Sequence, residues 1–174
     1  MAHGQEGGDE PSLWSSLRAG GNIVLIRHAI APGGGDPPGF RLDDCSTQRN
    51  LSEQGRKQAR SIGAAFRSRG VPVERVLTSQ WCRCKDTAEL LDLATVHEYP
   101  VLNSFFSDRS TALEQTEALR RFVAEAAPQG NIVLVTHQVN ITELTGVFPS
   151  SGEMVVIRPD EREGFVSIGR LGSG

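Results

Sequence analysis

The 174-residue chain has few cysteines, no long apolar run and no excess of basic charge. Each absence removes a class of protein. No stretch approaches the twenty apolar residues of a membrane-spanning helix, so membrane embedding is not expected. The net charge of −3 gives no basic footprint for nucleic acid, which is therefore not an expected partner. Three cysteines, Cys45, Cys82 and Cys84, are too few for a disulfide framework. Cys82-x-Cys84 is also tighter than the usual zinc-ligand spacing and has no second pair after it. The reading is three thiols without a shared role, with one disulfide, from Cys45 to Cys82 or to Cys84, if the protein is exported. The first ten residues carry neither a basic nor an apolar signal-peptide region, and no signal peptide is expected. No internal repeat extends beyond five residues.

What is present is ordinary in composition, 38% hydrophobic and 22% charged, and long enough for one substantial core. Residues 1–11 read as a Gly-rich acidic tail ahead of a single domain over 12–174. The pentapeptide Gly-Asn-Ile-Val-Leu occurs twice, at 21–25 and 130–134, and each copy leads to a histidine at the same offset, His28 and His137. Short β-branched runs bounded by turn residues are the pattern of strands buried on both faces of a parallel sheet. In such sheets ligands bind beyond the carboxyl ends of the strands. Neighbouring parallel strands would therefore bring both imidazoles and the Arg27 guanidinium to one rim.

Around these strands the pattern alternates. A short helix is expected over 12–18, strands over 22–27, 75–78, 95–99 and 131–136, and helices over 52–70, 79–93, 111–127 and 141–144. A terminal hairpin is expected over 154–158 and 165–168. Two long loops, 29–50 and 100–110, break the alternation, and loops of this length usually carry function. The fold class is α/β, a three-layer α/β/α sandwich with a mostly parallel central sheet.

The helix after the second strand spaces Ser79, Arg83 and Thr87 four apart, on one face, with Arg83 near the positive end of the helix. Arg27, His28, Arg83 and His137 then converge. Arginine forks grip phosphate oxygens, and a neutral imidazole with Nδ1–H held by a carbonyl presents a nucleophilic Nε2. His28, beside Arg27, is the candidate nucleophile, and His137 the stabiliser of charge on the transferring group.

Four blocks in order resemble the histidine phosphatase (phosphoglycerate mutase-like) superfamily: Arg27-His28-Ala29, Leu51 to Ala59, Thr78 to Ala88, and Thr136-His137. The resemblance spans about residues 20–147. It implies phosphorylation of His28, a phosphate pocket of Arg27, His28, Arg83 and His137, and no metal or other cofactor. It also implies a small phosphorylated substrate or a phosphoprotein as partner. Among small members are phosphohistidine protein phosphatases and lipopolysaccharide-core heptose phosphatases, whereas mutase activity is not expected.

Two departures stand out. Ala29 replaces a glycine, and the acid that protonates the leaving group is missing from both places where the family carries it. Gln138 follows His137, and Asn103-Ser104-Phe105-Phe106 occupies the loop after the third strand. Asp108 is the candidate acid, or else a loop residue ahead of the next helix. Asp43 and Asp44 are further candidates or solvated turn residues. Asn103, Phe105, Phe106 and Gln138, with the first Gly/Pro-rich loop, are expected to shape the specificity pocket. The leading reading is a metal-independent phosphatase acting through a phosphohistidine. Its rivals are a phosphate-binding module of weak activity and a metal hydrolase built on the histidines and cysteines, which two neighbouring arginines disfavour. A disulfide would favour a periplasmic or secreted location over the cytoplasm.

Overall fold

The structure is a computed structural model and describes residues 9–172. In chain order the main elements are α1 (Glu10–Ala19), β1 (Ile23–Arg27), α2 (Glu53–Ser68), β2 (Val73–Thr78), α3 (Cys82–Leu91) and β3 (Val96–Glu98). They continue with α4 (Ala112–Glu125), β4 (Asn131–Thr136), α5 (Gln138–Thr145), β5 (Met154–Asp160) and β6 (Gly164–Leu171). Short 3-10 turns interrupt the two long loops at Cys45–Thr47, Pro100–Leu102 and Arg109–Thr111. Helix α1 starts two residues earlier than expected because Asp9 accepts from the Ser12 N–H as its N-cap. Residues 10 and 11, expected in the tail, therefore belong to α1. Residues 1–8 of that expected tail lie outside the described residues.

One six-stranded sheet runs in the order β3-β2-β4-β1-β5-β6, with the first four strands parallel, β5 antiparallel to β1, and β6 antiparallel to β5. The strand residues alternate between two apolar layers. Val24, Ile26, Val133 and Val135 face α1, α2 and α3, where Trp14 and Phe66 meet edge to face. Ile23, Leu25, Ile132 and Leu134 face α4 and α5. The expected three layers are thus present. Burial of each such side chain contributes about 1.5–3 kcal/mol, so the central strands anchor the sheet against movement at its rim.

The two Gly-Asn-Ile-Val-Leu copies are neighbours in register, Ile23 opposite Ile132 and Arg27 opposite Thr136. His28 and His137 each follow the last paired residue. The backbone N–H of His28 still donates to the Thr136 carbonyl at 3.0 Å, which fixes the start of the loop behind it. Helix α2 approaches that loop very closely. A Cβ at Gly55 would lie 2.1 Å from the Ile30 carbonyl oxygen, so glycine is what lets the helix seat there. Ser52 caps the same helix on the Gly55 N–H. Among the described residues no helix is long and apolar enough to cross a membrane.

Candidate active site

Beyond the carboxyl ends of β1, β2 and β4 lies a cavity of about 320 Å³, lined by Arg27, His28, Arg83 and His137 among others. The topology therefore brings together the four residues expected to meet. His28 is buried, 2% exposed, with Nδ1 2.9 Å from the Ala29 carbonyl oxygen. A carbonyl only accepts, so Nδ1 carries the proton and Nε2 keeps its lone pair. Burial, assisted by Arg83, Arg27 and Arg49, pushes the imidazole pKa down to about 3, against the opposing Ala29 bond. His28 is neutral at any working pH. Its Nε2 accepts from Arg83 Nε at 3.3 Å.

His137 is also buried, and desolvation together with His28 and the arginines holds it well below the usual histidine range. Its Nε2 lies 2.8 Å from Ser79 Oγ and 3.5 Å from Cys84 Sγ. Ser79 Oγ also accepts the Trp81 N–H at 3.1 Å, which fixes the hydroxyl beside the ring. Ser79, expected at the start of the next helix, lies ahead of it. That helix begins at Cys82 with no side-chain cap, because the serine is engaged with His137. The thiol of Cys84 is pushed up to about 12 by burial, so it stays protonated.

Arg27 donates through Nη1 to the Pro149 carbonyl at 2.9 Å, while its Nε is buried without a partner. A buried guanidinium N–H without a partner is costly. Burial and, after it, the nearby Arg83 charge lower the Arg27 pKa.

Three cavity-lining residues carry weight that the sequence reading missed: Asp36, Arg49 and Trp81. Asp36 accepts from Arg83 Nη1 at 2.8 Å and Nη2 at 3.3 Å, from Trp81 Nε1 at 3.0 Å and from the Arg49 N–H at 3.2 Å. Burial works to raise its pKa, but these donors overcome it and the carboxyl falls below its usual range. Arg49 bonds the Gly35 and Ala31 carbonyls and adds a third positive charge. The available signal was a lone acid set in the Gly/Pro-rich run Pro32 to Gly39.

The remaining candidates divide. Phe106 and Gln138 line the cavity, Phe106 with 57% of its surface exposed. Phe105 and Asn103, expected to shape the pocket, are not in the lining. Phe105 is core, and Asn103 ties its loop to Gln80 through the Gln80 N–H and side-chain amide. Asp108 does line the cavity, yet its carboxylate caps a 3-10 turn by accepting the Ser110 N–H, and the Ser110 side chain and N–H together lower its pKa. Asp43 and Asp44 stand away from the cavity and pair with Arg41. Cys45 and Cys82 form a disulfide, which overturns the reading of three unrelated thiols and resolves the pairing. It fastens the 29–50 loop to the first turn of α3, beside the bond from the Cys82 N–H to Gln48 Oε1 at 3.0 Å. Among the described residues no group of three or more His, Cys, Asp or Glu is placed to hold a metal ion.

Comparison with known proteins assigns this geometry to a family. Residues 23–105 match the histidine phosphatase superfamily (branch 1), a stretch that contains Arg27, His28 and Arg83. The chain belongs to the histidine phosphatase superfamily. His137 lies beyond the matched stretch. An uncharacterized protein of the cyanobacterium Picosynechococcus is 30% identical over 121 residues, 70% of this chain and 68% of that one. Among solved structures, the protein histidine phosphatase SixA complexed with tungstate superposes with a TM-score of 0.65. It is 16% identical and matches 87% of this chain and 97% of its own. The mycobacterial glucosyl-3-phosphoglycerate phosphatase in complex with VO3 gives a TM-score of 0.59 at 15% identity, over 87% of this chain and 99% of that one. At such identities these likenesses speak for the superfamily fold.

Proposed function

We propose that this superfamily member is a metal-independent phosphatase that hydrolyses phosphomonoesters or phosphohistidine through a phosphohistidine on His28. One observation carries the reading: a neutral imidazole, tied through Nδ1 to Ala29, turns its Nε2 towards a cavity lined by three arginines. A phosphoryl group seated there meets the guanidinium groups of Arg27 and Arg83, which line the cavity. The tungstate and VO3 bound by two structural relatives are oxyanions of the kind this pocket fits.

In the first step the Nε2 lone pair attacks phosphorus in line. The bond to the leaving group breaks and its electron pair departs with that group. In the second step water attacks phosphorus, the N–P bond breaks, its electrons return to Nε2, and inorganic phosphate is released. The arginines hold the oxygens through both steps, and His137 stabilises the charge that builds on them. Asp108 and Asp36 are both shifted towards the carboxylate form, so neither is poised to donate a proton at neutral pH. That favours substrates whose leaving group needs little acid help, such as the imidazole of a phosphohistidine, over sugar hydroxyls.

The test is phosphate release from p-nitrophenyl phosphate, with and without chelator, by wild type and His28→Ala. The reading requires chelator-resistant turnover that disappears in the variant. Vanadate binding without any turnover by the wild type would leave a phosphate-binding module instead.

A further inference from the structure

The guanidinium of Arg83 has two edges, and the structure uses them differently. The end-on edge, Nη1 and Nη2, faces the carboxylate of Asp36 at 2.8 and 3.3 Å. The remaining Nη1 hydrogen meets the Arg49 carbonyl at 3.3 Å. The side-on edge, formed by Nε–H and the second hydrogen of Nη2, lies towards His28, with Nε 3.3 Å from the Nε2 that would carry phosphorus. Asp36 is itself fixed by the Trp81 indole N–H and the Arg49 backbone N–H. Both side chains of the ion pair are almost fully buried, at 4% and 6% exposed.

We propose that Asp36 is the positioning residue for Arg83: it occupies the end-on edge of the guanidinium and so presents the side-on edge to the phosphoryl group on His28. This rests on the phosphatase reading above. An arginine has many rotamers, and a fork helps a transition state only if it is held in place beforehand. A bidentate carboxylate supplies that hold, and the 29–50 loop delivers it.

Two effects of Asp36 on an anion have opposite sign, which makes the proposal testable. As a bare negative charge at the pocket wall, Asp36 repels phosphate, and its removal would tighten binding. As the brace of Arg83 it strengthens binding, and its removal weakens it. We expect the brace to win, because the carboxylate is already neutralised by its donors while a loose guanidinium loses its aim. In Asp36→Asn the vanadate dissociation constant should rise about 10-fold, and kcat should fall roughly 10–100-fold with a smaller rise in KM. In an Arg83→Ala background the same substitution should change vanadate affinity by less than about twofold, because Asp36 acts through Arg83.

Vanadate titration and p-nitrophenyl phosphate kinetics on wild type, Asp36→Asn, Arg83→Ala and the double variant read all of this. Asp36→Ala replaces Asp36→Asn should the latter lose cooperative thermal unfolding. Vanadate binding that is unchanged or tighter in the Asp36 variant overturns the proposal, as does an equal loss in both backgrounds. A wild type that neither binds vanadate nor turns over substrate instead defeats the phosphatase reading on which the proposal stands.

Discussion

The two copies of Gly-Asn-Ile-Val-Leu carry polar residues to opposite ends of the sheet, and the two ends are finished in opposite ways. At the amino ends, Asn22 and Asn131 meet directly, Nδ2 of Asn22 donating to Oδ1 of Asn131 at 2.9 Å. Asn131 also donates to the Leu17 and Pro72 carbonyls, and Asn22 to those of Ser16 and Gly20. The pair is fully buried and its amide N–H groups are engaged. At the carboxyl ends, two buried histidines are held neutral, three arginines crowd one cavity, and a buried guanidinium N–H has no partner. One end of the same strands closes a structure. The other gathers like charges and neutral histidines around one cavity.

Substitutions should separate the two ends. The largest effect is expected from His28→Ala, where turnover of p-nitrophenyl phosphate should fall more than about 10³-fold because the covalent route is gone. Vanadate binding should persist in part, since a neutral nucleophile contributes little to holding the anion. Arg83→Ala should lower kcat/KM by roughly 10²–10³, the usual loss for a group that stabilises transition-state charge. At the opposite end, Asn131→Ala should leave kcat unchanged and destabilise the fold by about 2–3 kcal/mol in urea unfolding, because the backbone N–H of Asn22 loses its acceptor and two carbonyls lose donors. A large loss of kcat there would mean that the two ends are coupled.

The disulfide lies between these extremes. It closes a 37-residue separation, and Cys45→Ser with Cys82→Ser should cost roughly 3–4 kcal/mol of stability. Activity should fall too, because the loop it fastens carries Asp36 and Arg49. Titration of the unreduced, denatured protein should find one free thiol, that of Cys84. Three free thiols would remove the staple from the account.

The smallest effect is on pH. His28 and His137 have folded pKa values below the unfolded value of about 6.5, so the unfolded chain binds the extra protons. Their contribution to stability is complete above pH 6.5 and drains as pH falls, towards about 3 for His28. The carboxylates with lowered pKa, Asp36 and Asp108 among them, lose theirs only below the usual carboxylate range. Between pH 6.5 and 4.5 the melting temperature should therefore decline mainly through the histidines. His28→Gln should flatten that decline, and an unchanged slope would mean that His28 is not held neutral by the fold.

The layered fold, the register of the two histidine strands and the meeting of Arg27, His28, Arg83 and His137 were legible in the sequence. Strand periodicity and spacing within one helix are local signals, and a parallel sheet converts them into a rim. What was not legible arrives through the 29–50 loop. Asp36 lies 47 residues from Arg83, and no periodicity links a Gly/Pro-rich loop to a helix it folds across. The cross-link from Cys45 to Cys82 was left open for the same reason, since only the loop's path brings the two together. The helix was expected from residue 79 on local grounds, but it starts at Cys82 and Ser79 is bonded to a buried imidazole. Phe105 and Phe106 are adjacent and alike, and only packing sends one to the core and the other to the cavity.

The most direct test of the central claim is to trap the intermediate. Wild-type protein mixed with a ³²P-labelled phosphomonoester or phosphohistidine substrate and quenched in alkali should retain label that acid removes, the behaviour of a phosphorus–nitrogen bond. His28→Ala should retain none. Full turnover by His28→Ala, or label that survives acid in the wild type, would contradict a phosphohistidine on His28.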